Sequence, residues 1–265
     1  MKSNTFKPEE FILKKIVPYL VKEAKILKKI KKITSKSKSR KENDPVTFFD
    51  IKIQKDLTNM ILKHFPDHQV DGEESSTPKR TSKFKWTLDP IDGTKSFIVG
   101  MPTYSNLIGF GVEDKNEIGF AFFPELEKYY ITSNKNSFVA NKGKKRERIF
   151  CSRQVNLEKS KLVFNTLQTI KNIKFFNYFK KYKNFLKFTG ADAYNYCRLA
   201  EGKIDIIIES DLKPYDIKPL IPLIRNAGGE ISDWLGNKNI EKGNILVAAN
   251  KILHKKMLSI LKKLV

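Results

Sequence analysis

Apolar residues recur at helical spacing near the start of the chain. Phe11, Ile12, Ile16, Leu20, Ala24, Leu27 and Ile30 share one face and predict a helix over Lys7 to Ile33. Pro18 interrupts the pattern and predicts a kink. The polar, serine-rich run KKITSKSKSRKEND follows as a loop. PVTFFDIKIQKDLTNMILKHFPDH restores helical spacing from near Thr47, and Phe65-Pro66 ends it.

The period then shifts to that of strands. Lys83 to Leu88 reads as a short strand that stops at Pro90, because proline cannot donate to a ladder. YSNLIGFGV and EIGFAFFPE form a hairpin about EDKN, and KYYITSNKNSFVANKGKK continues as strand and turn. SKLVFNT predicts a strand, and IKNIKFFNYFKKYK predicts an amphipathic helix. FLKFTGADAYNYCRLAEGKIDIIIES predicts strand, glycine turn, helix and strand. YDIKPLIPLIRNAGG predicts one helix closed by Gly228-Gly229, and NILVAANKILHKKMLSILKKL a last strand and helix. Helices lie in front of and between groups of strands. A layered α/β (α+β) sandwich is expected, not a barrel or a bundle. The expected organisation is a single domain, residues 1–265, with an α+β subregion over 1–150 and an α/β subregion over 151–265.

Charge changes this picture little. Lys+Arg exceeds Asp+Glu by 51 − 29 = 22. An excess of that size suits nucleic acid or acidic lipid. However, the lysines are spread along the chain, and Lys, Asn, Ile and Phe are the residues that A/T-rich codons supply. Codon composition is therefore the favoured reading and nucleic-acid binding the minority one, and a basic surface can still steer a phosphorylated substrate toward a site. Cys151 and Cys197 form no C-x-x-C pair, so neither a disulfide framework nor a cysteine zinc site is expected. MKSNTFKPEE has no apolar core of a signal peptide, and no apolar run is long enough to span a bilayer. A cytoplasmic location without membrane partners is expected.

Four acidic clusters stand out in this basic chain: DGEES, DPIDGT, IESD and PYDI. In DPIDGT, Asp89 and Asp92 can converge on one point, with the Ile91 carbonyl between them. Gly93 lets the backbone approach a ligand, and the following N–H groups can face an anion. Carboxylates, a carbonyl and a hydroxyl are hard oxygen donors that favour Mg²⁺ over zinc. A capped turn explains the stretch about as well when it is taken alone.

The wider pattern separates these readings. VTFFD, GEES, WTLDPIDGTKSF and YDIKPLIPLIRNAGG, in that order, resemble the signature segments of the inositol monophosphatase superfamily of Mg²⁺-dependent phosphatases. FVANKGKKRERIFCS and AANKILHKKML are similar to further segments of that family. The resemblance covers nearly the whole chain and implies a layered αβαβα sandwich of the inositol-monophosphatase/sugar-phosphatase type. It implies that Glu73, Asp89, the Ile91 carbonyl, Asp92 and Asp216 ligate Mg²⁺, in two or three ions, with Glu74 in support. Tyr215 stands where the family usually has tryptophan before Asp216. Thr94 would position the attacking water, with Asp50 as its proton relay, and the Gly93 and Thr94 N–H groups would hold phosphate. Lys41, or alternatively Lys38, would be the lysine of the loop over the site. A homodimer is common in the family, although no interface is legible in this chain.

TGADAYNYCRLAEGKIDIIIESDLKPYD is most similar to the histidinol-phosphatase branch. A carboxylate at Asp192 would suit a cationic substrate, whereas inositol phosphatases usually carry a small residue there. Glu209 matches the family's substrate-contacting glutamate. The competing explanation of Asp192 is an N-cap just after Gly190.

Other groups offer less. His64 and His68 have the spacing of a helical metal pair, but Pro66 lies between them, and they read as surface or loop histidines. His254 is isolated. Cys197 reads as packed, not nucleophilic. The aromatic–lysine run from Phe175 to Tyr182 suits a core-facing helix better than base stacking. Hydrolysis of histidinol phosphate, late in histidine biosynthesis, is the leading expectation. Inositol-1-monophosphatase comes next, a 3′(2′),5′-bisphosphate nucleotidase after it, and an RNA-associated protein on this fold is the rival of a different class.

Overall fold

A computed structural model describes residues 7–30, 33–37, 45–78, 81–113, 115–141, 143–164, 177–179, 185–186 and 191–264. The opening helical segment runs as α1 (Pro8–Phe11), a π turn (Ile12–Ile16) and α2 (Val17–Leu27). The predicted kink at Pro18 takes the form of that wide turn. Pro18 has no N–H to donate four residues back, and a π turn accommodates the missing bond. Part of the expected loop is a ribbon, in which β1 (Ser35–Ser37) pairs with β2 (Pro45–Thr47). α3 (Phe48–His64) begins where the pattern predicts. The Thr47 hydroxyl accepts from Phe49 N–H at 3.1 Å, and Asp50 Oδ2 accepts from Thr47 N–H at 2.7 Å, a reciprocal cap.

A seven-stranded sheet follows, in the order β3 (Gln69–Gly72), β4 (Phe84–Asp92), β5 (Ser105–Val112), β6 (Lys115–Phe123), β7 (Lys128–Ser133), β8 (Asn136–Asn141) and β9 (Glu147–Ile149). Its pairs are antiparallel apart from β3 with β4. The short helix α4 (Thr94–Ile98) leaves β4. A second sheet has the order β11 (Phe185–Leu186), β10 (Leu162–Phe164), β12 (Ile206–Leu212), β14 (Gly243–Ala248) and β13 (Glu230–Asp233). The helices of this half are α5 (Asp192–Ala200), α6 (Pro214–Ile217), α7 (Leu220–Asn226) and α8 (Lys251–Leu264).

Three cores stack these elements into an αβαβα sandwich. Phe11, Leu20, Leu57, Trp86 and Ile108 pack α1–α3 on one face of the large sheet. Leu107, Phe123, Tyr196, Leu223 and Val247 fill the layer of α5 and α7 between the sheets. Ile206, Ile208, Leu246 and Met257 pack α8 on the far face. Neighbours such as Leu107/Ile108 and Ile207/Ile208 serve opposite faces, which is why these strands read as continuous apolar runs.

The single helix expected over YDIKPLIPLIRNAGG is instead two, α6 and α7, with Pro219 between them as the N-cap of the second. Pro219 lies on the paired glycines Gly109 and Gly119 of β5 and β6. A Cβ on Gly119 would stand 2.1 Å from the Pro219 carbonyl oxygen, so glycine is required for this close approach. The contact seats α6 against β4 and β5. Of the expected helix over IKNIKFFNYFKKYK, residues 177–179 are helical and the remainder lies outside the described residues.

Candidate active site and metal centre

The carboxylates converge because β4 is irregular at its end. The expectation that the strand stops at Pro90 is corrected: β4 pairs with β5 as far as Asp92↔Ser105, with a register shift between Asp89 and Asp92. The bulge removes the ladder bond that proline cannot make, and Asn106 Nδ2 donates to the Pro90 carbonyl at 2.5 Å. Residues three apart on a regular strand face opposite ways. One extra residue in the bulge brings Asp89 and Asp92 to the same side.

Asp216 joins them from α6, its Oδ2 accepting from Lys213 N–H at 2.7 Å. One carboxylate oxygen each from Asp89, Asp92 and Asp216 lie within 4.8 Å of one another. Glu73 stands beside this trio, its side chain hydrogen-bonded to Asp89. The loop carrying it is fixed by Glu73 N–H donating to the Leu88 carbonyl at 3.1 Å and by Gln54 Nε2 donating to the Ser75 carbonyl at 3.3 Å. Glu74, partly buried, follows in the same loop.

Burial and mutual repulsion disfavour the charged forms. Asp89 is pushed well above the usual carboxylate range by burial, then by Glu73, Asp92 and Asp216. Asp92 is pushed up by burial, Asp192 and Asp216, against hydrogen bonds from Ala193 N–H and Ser105 Oγ. Asp216 rises to about 7 by burial, countered by Lys213 N–H and reinforced by Glu73 and Asp192. Asp89 Oδ1 is buried with no hydrogen-bond partner among the described residues. Hard oxygens, clustered negative charge and an orphaned buried acceptor fit a hard divalent cation such as Mg²⁺.

The other expected residues surround this cage. The Thr94 hydroxyl lies 3.1 Å from the Ile91 carbonyl and 3.3 Å from Asp50 Oδ1. Asp50 is fully buried and its Oδ2 is held by Thr47. Gly93 takes φ 76° at the start of α4, and a Cβ there would lie 2.9 Å from Asp192 Oδ2. Asp192 is the first residue of α5. Its N-cap is Ala191, which makes no side-chain cap, so Asp192 is not the N-cap. Burial raises the Asp192 carboxyl, while its own N–H and Lys95 oppose the rise. Glu209, on β12, is pushed up to about 8 by burial, against the Tyr196 hydroxyl that donates to its Oε2 at 2.5 Å. Lys41 and Lys38 lie outside the described residues.

Several partners carry no signal in the sequence. Ser105, on the next strand, donates to Asp92 Oδ2 at 3.0 Å, and Ala193 N–H, remote in the chain, donates to the same oxygen at 3.2 Å. Only Thr47, in its T-x-x-D box, was open to a local reading. Away from the site, His68 is more embedded than a surface position. It stacks between Phe65 and Phe84 and receives the Trp86 indole N–H at 2.9 Å. His254 is buried, with Nε2 2.8 Å from Ser232 Oγ. Cys197 is buried in the core between the sheets, as expected, and burial raises its thiol.

A profile of the Inositol monophosphatase family matches residues 12–265. A bifunctional phosphatase IMPL2 of Arabidopsis thaliana is 29% identical over 81% of this chain, which spans 64% of that protein's length. A fructose-1,6-bisphosphatase/inositol-1-monophosphatase of Aquifex aeolicus is 30% identical, covering 89% of this chain and 88% of its own. A histidinol-phosphatase of Chlorobaculum parvum is 26% identical, covering 83% and 85%. Among solved structures, a Thermotoga maritima IMPase superposes with a TM-score of 0.79 at 23% identity over 95% of this chain and 97% of its own. An IMPase/NADP phosphatase complexed with Mg²⁺ and phosphate superposes with a TM-score of 0.76 at 22% identity, over 96% of each chain. This likeness is one of fold, and the profile match extends it to membership: the chain belongs to the inositol monophosphatase family of metal-dependent phosphatases.

Proposed function

We propose that this chain hydrolyses histidinol phosphate to histidinol and inorganic phosphate, with Mg²⁺ held by Glu73, Asp89, the Ile91 carbonyl, Asp92 and Asp216. Bound Mg²⁺ would supply charge neutralisation, water activation and stabilisation of the departing oxygen. The Thr94 hydroxyl, close to Asp50 Oδ1, would orient the attacking water and relay its proton to Asp50. The N–H groups of Gly93 and Thr94, at the start of α4, would hold phosphate oxygens. Glu74 would support the Glu73 loop.

The observation that carries the substrate reading is Asp192. It is not the N-cap of α5, and its carboxylate stands against Gly93 and has Glu209 as a second acidic neighbour. Such a pair suits the amine and imidazole of histidinol better than a neutral polyol. The similarity to the C. parvum histidinol-phosphatase supports the same reading. Inositol-1-phosphate is the second reading, favoured by the A. aeolicus relative. Phosphate release with Mg²⁺ from histidinol phosphate, inositol-1-phosphate and adenosine 3′,5′-bisphosphate separates them. Histidinol phosphate should give the highest kcat/KM, and a preference for either other ester would overturn the substrate assignment.

A further inference from the structure

We propose that the cavity between α2 and the ends of β6–β8 is a second binding site, for a small carboxylate with an apolar body. The cavity has a volume of about 200 Å³ and shares no residue with the acidic cage. Val17, Val21 and Ala24 recur on one face of α2 and form one wall, and Phe122 and Tyr129 form the other. Packed interiors rarely leave a space of this size against apolar side chains. It is smaller than the span of drug-sized pockets, so the occupant is small, on the scale of one bicyclic ring or a short acyl chain.

The charge at its rim sets the sign of the occupant. Lys25, Lys28 and Lys144 border the cavity, and Glu127 is the one acidic residue of its lining. Lys28 Nζ stands 3.9 Å from Glu127 and 3.9 Å from Glu125, so two carboxylates face that lysine and the net positive charge of the rim rests on Lys25 and Lys144. Lys25 and Lys144 are exposed and both line the cavity. An apolar floor below a cationic mouth accepts a molecule with an apolar end and one negative head.

The probe is 1-naphthoate, with 1-naphthylmethanol as its neutral counterpart, titrated by fluorescence against the intact chain. Naphthoate should bind at one site per chain, about tenfold or more tighter than the alcohol. Lys25→Glu with Lys144→Glu should weaken naphthoate by about tenfold and leave the alcohol unchanged. Val21→Trp should fill the space and remove both, with phosphatase activity retained. Because a bulky residue on α2 could disturb packing, the double charge reversal on exposed side chains serves as the second variant. Equal binding of acid and alcohol, or naphthoate binding indifferent to the charge reversal, overturns the proposal. So does naphthoate binding that survives in a folded Val21→Trp protein, or that is displaced stoichiometrically by inorganic phosphate at the acidic site.

Discussion

At the scale of single residues, Asp192 separates recognition from architecture. It is not the N-cap of its helix and its carboxylate meets the fold mainly through its own N–H, so its removal should be felt by the substrate more than by the fold. Asp192→Ala should raise KM for histidinol phosphate by roughly 10–100-fold, the loss expected of a charged hydrogen bond, and leave KM for a neutral phosphate ester within about threefold. Equal losses on both esters, or a fall in melting temperature large enough to explain them, would assign Asp192 to structure. Two aspartates, a carbonyl, a glycine and a threonine in six positions were visible in the sequence, but that run read equally as a capped turn until the order of the surrounding segments was weighed with it. The bulge that aims them was not visible. It exists because β5 continues to pair past Pro90, and Ser105 and Asn106, which support it, have no marker of their own. The same holds for Tyr196 and Glu209, which meet across a helix and a strand.

Among the elements, α5 connects the two halves of the site. Its first turn presents Asp192 and the Ala193 N–H to the cage, and its far end is fixed to the large sheet. Glu201, with a side chain 9% exposed, accepts from Lys128 Nζ at 2.5 Å and from the Tyr130 hydroxyl at 2.8 Å, and pairs with Arg198. Glu201→Gln would remove the carboxylate that Lys128, itself 15% exposed, faces among the described residues. The expected cost is about 2 kcal/mol, below the fully buried case because Arg198 is partly solvated. For a chain of this size that lowers the melting temperature by about 4–8 °C. Thermal denaturation checks this, and an unchanged midpoint would mean the cluster is neutral to folding. Helix and strand positions were largely legible because both faces of the sheets are buried and the apolar runs are unambiguous. The breaks were misjudged where proline was read locally. Pro90 does not end its strand, and Pro219 does divide its helix. A bulge within β4, kept in pairing by β5, decides the first, and glycines on β5 and β6 decide the second, which no local pattern encodes.

For the molecule as a whole, a cage of crowded acids inside a chain of net charge +22 gives stability a particular dependence on pH and metal. Asp216 and Glu209 have folded values near 7 and 8, above their ordinary values near 4, because burial and neighbouring carboxylates disfavour ionisation. Without metal, the folded state therefore keeps protons that the unfolded chain has lost. Stability is then full below about pH 4 as far as these groups are concerned, and it falls as pH rises through 7 and 8. His68 and His254 act with the opposite sign. Burial lowers both, so their contribution is present above about pH 6.5 and is lost as pH falls below it. The carboxylate effect is thus read cleanly between about pH 6.5 and 8.5. Chelated protein should lose roughly 5 °C or more in melting temperature across that window, and Mg²⁺ should restore it by binding the folded state alone. Asp92→Asn removes one of the mutually repelling charges. It should flatten the slope and raise the midpoint of the chelated protein, while cutting Mg²⁺-dependent phosphatase activity by about 10³-fold or more. A chelated midpoint that rises from pH 6.5 to 8.5, or an Asp92→Asn protein that keeps its activity, would show that these carboxylates do not form a metal cage.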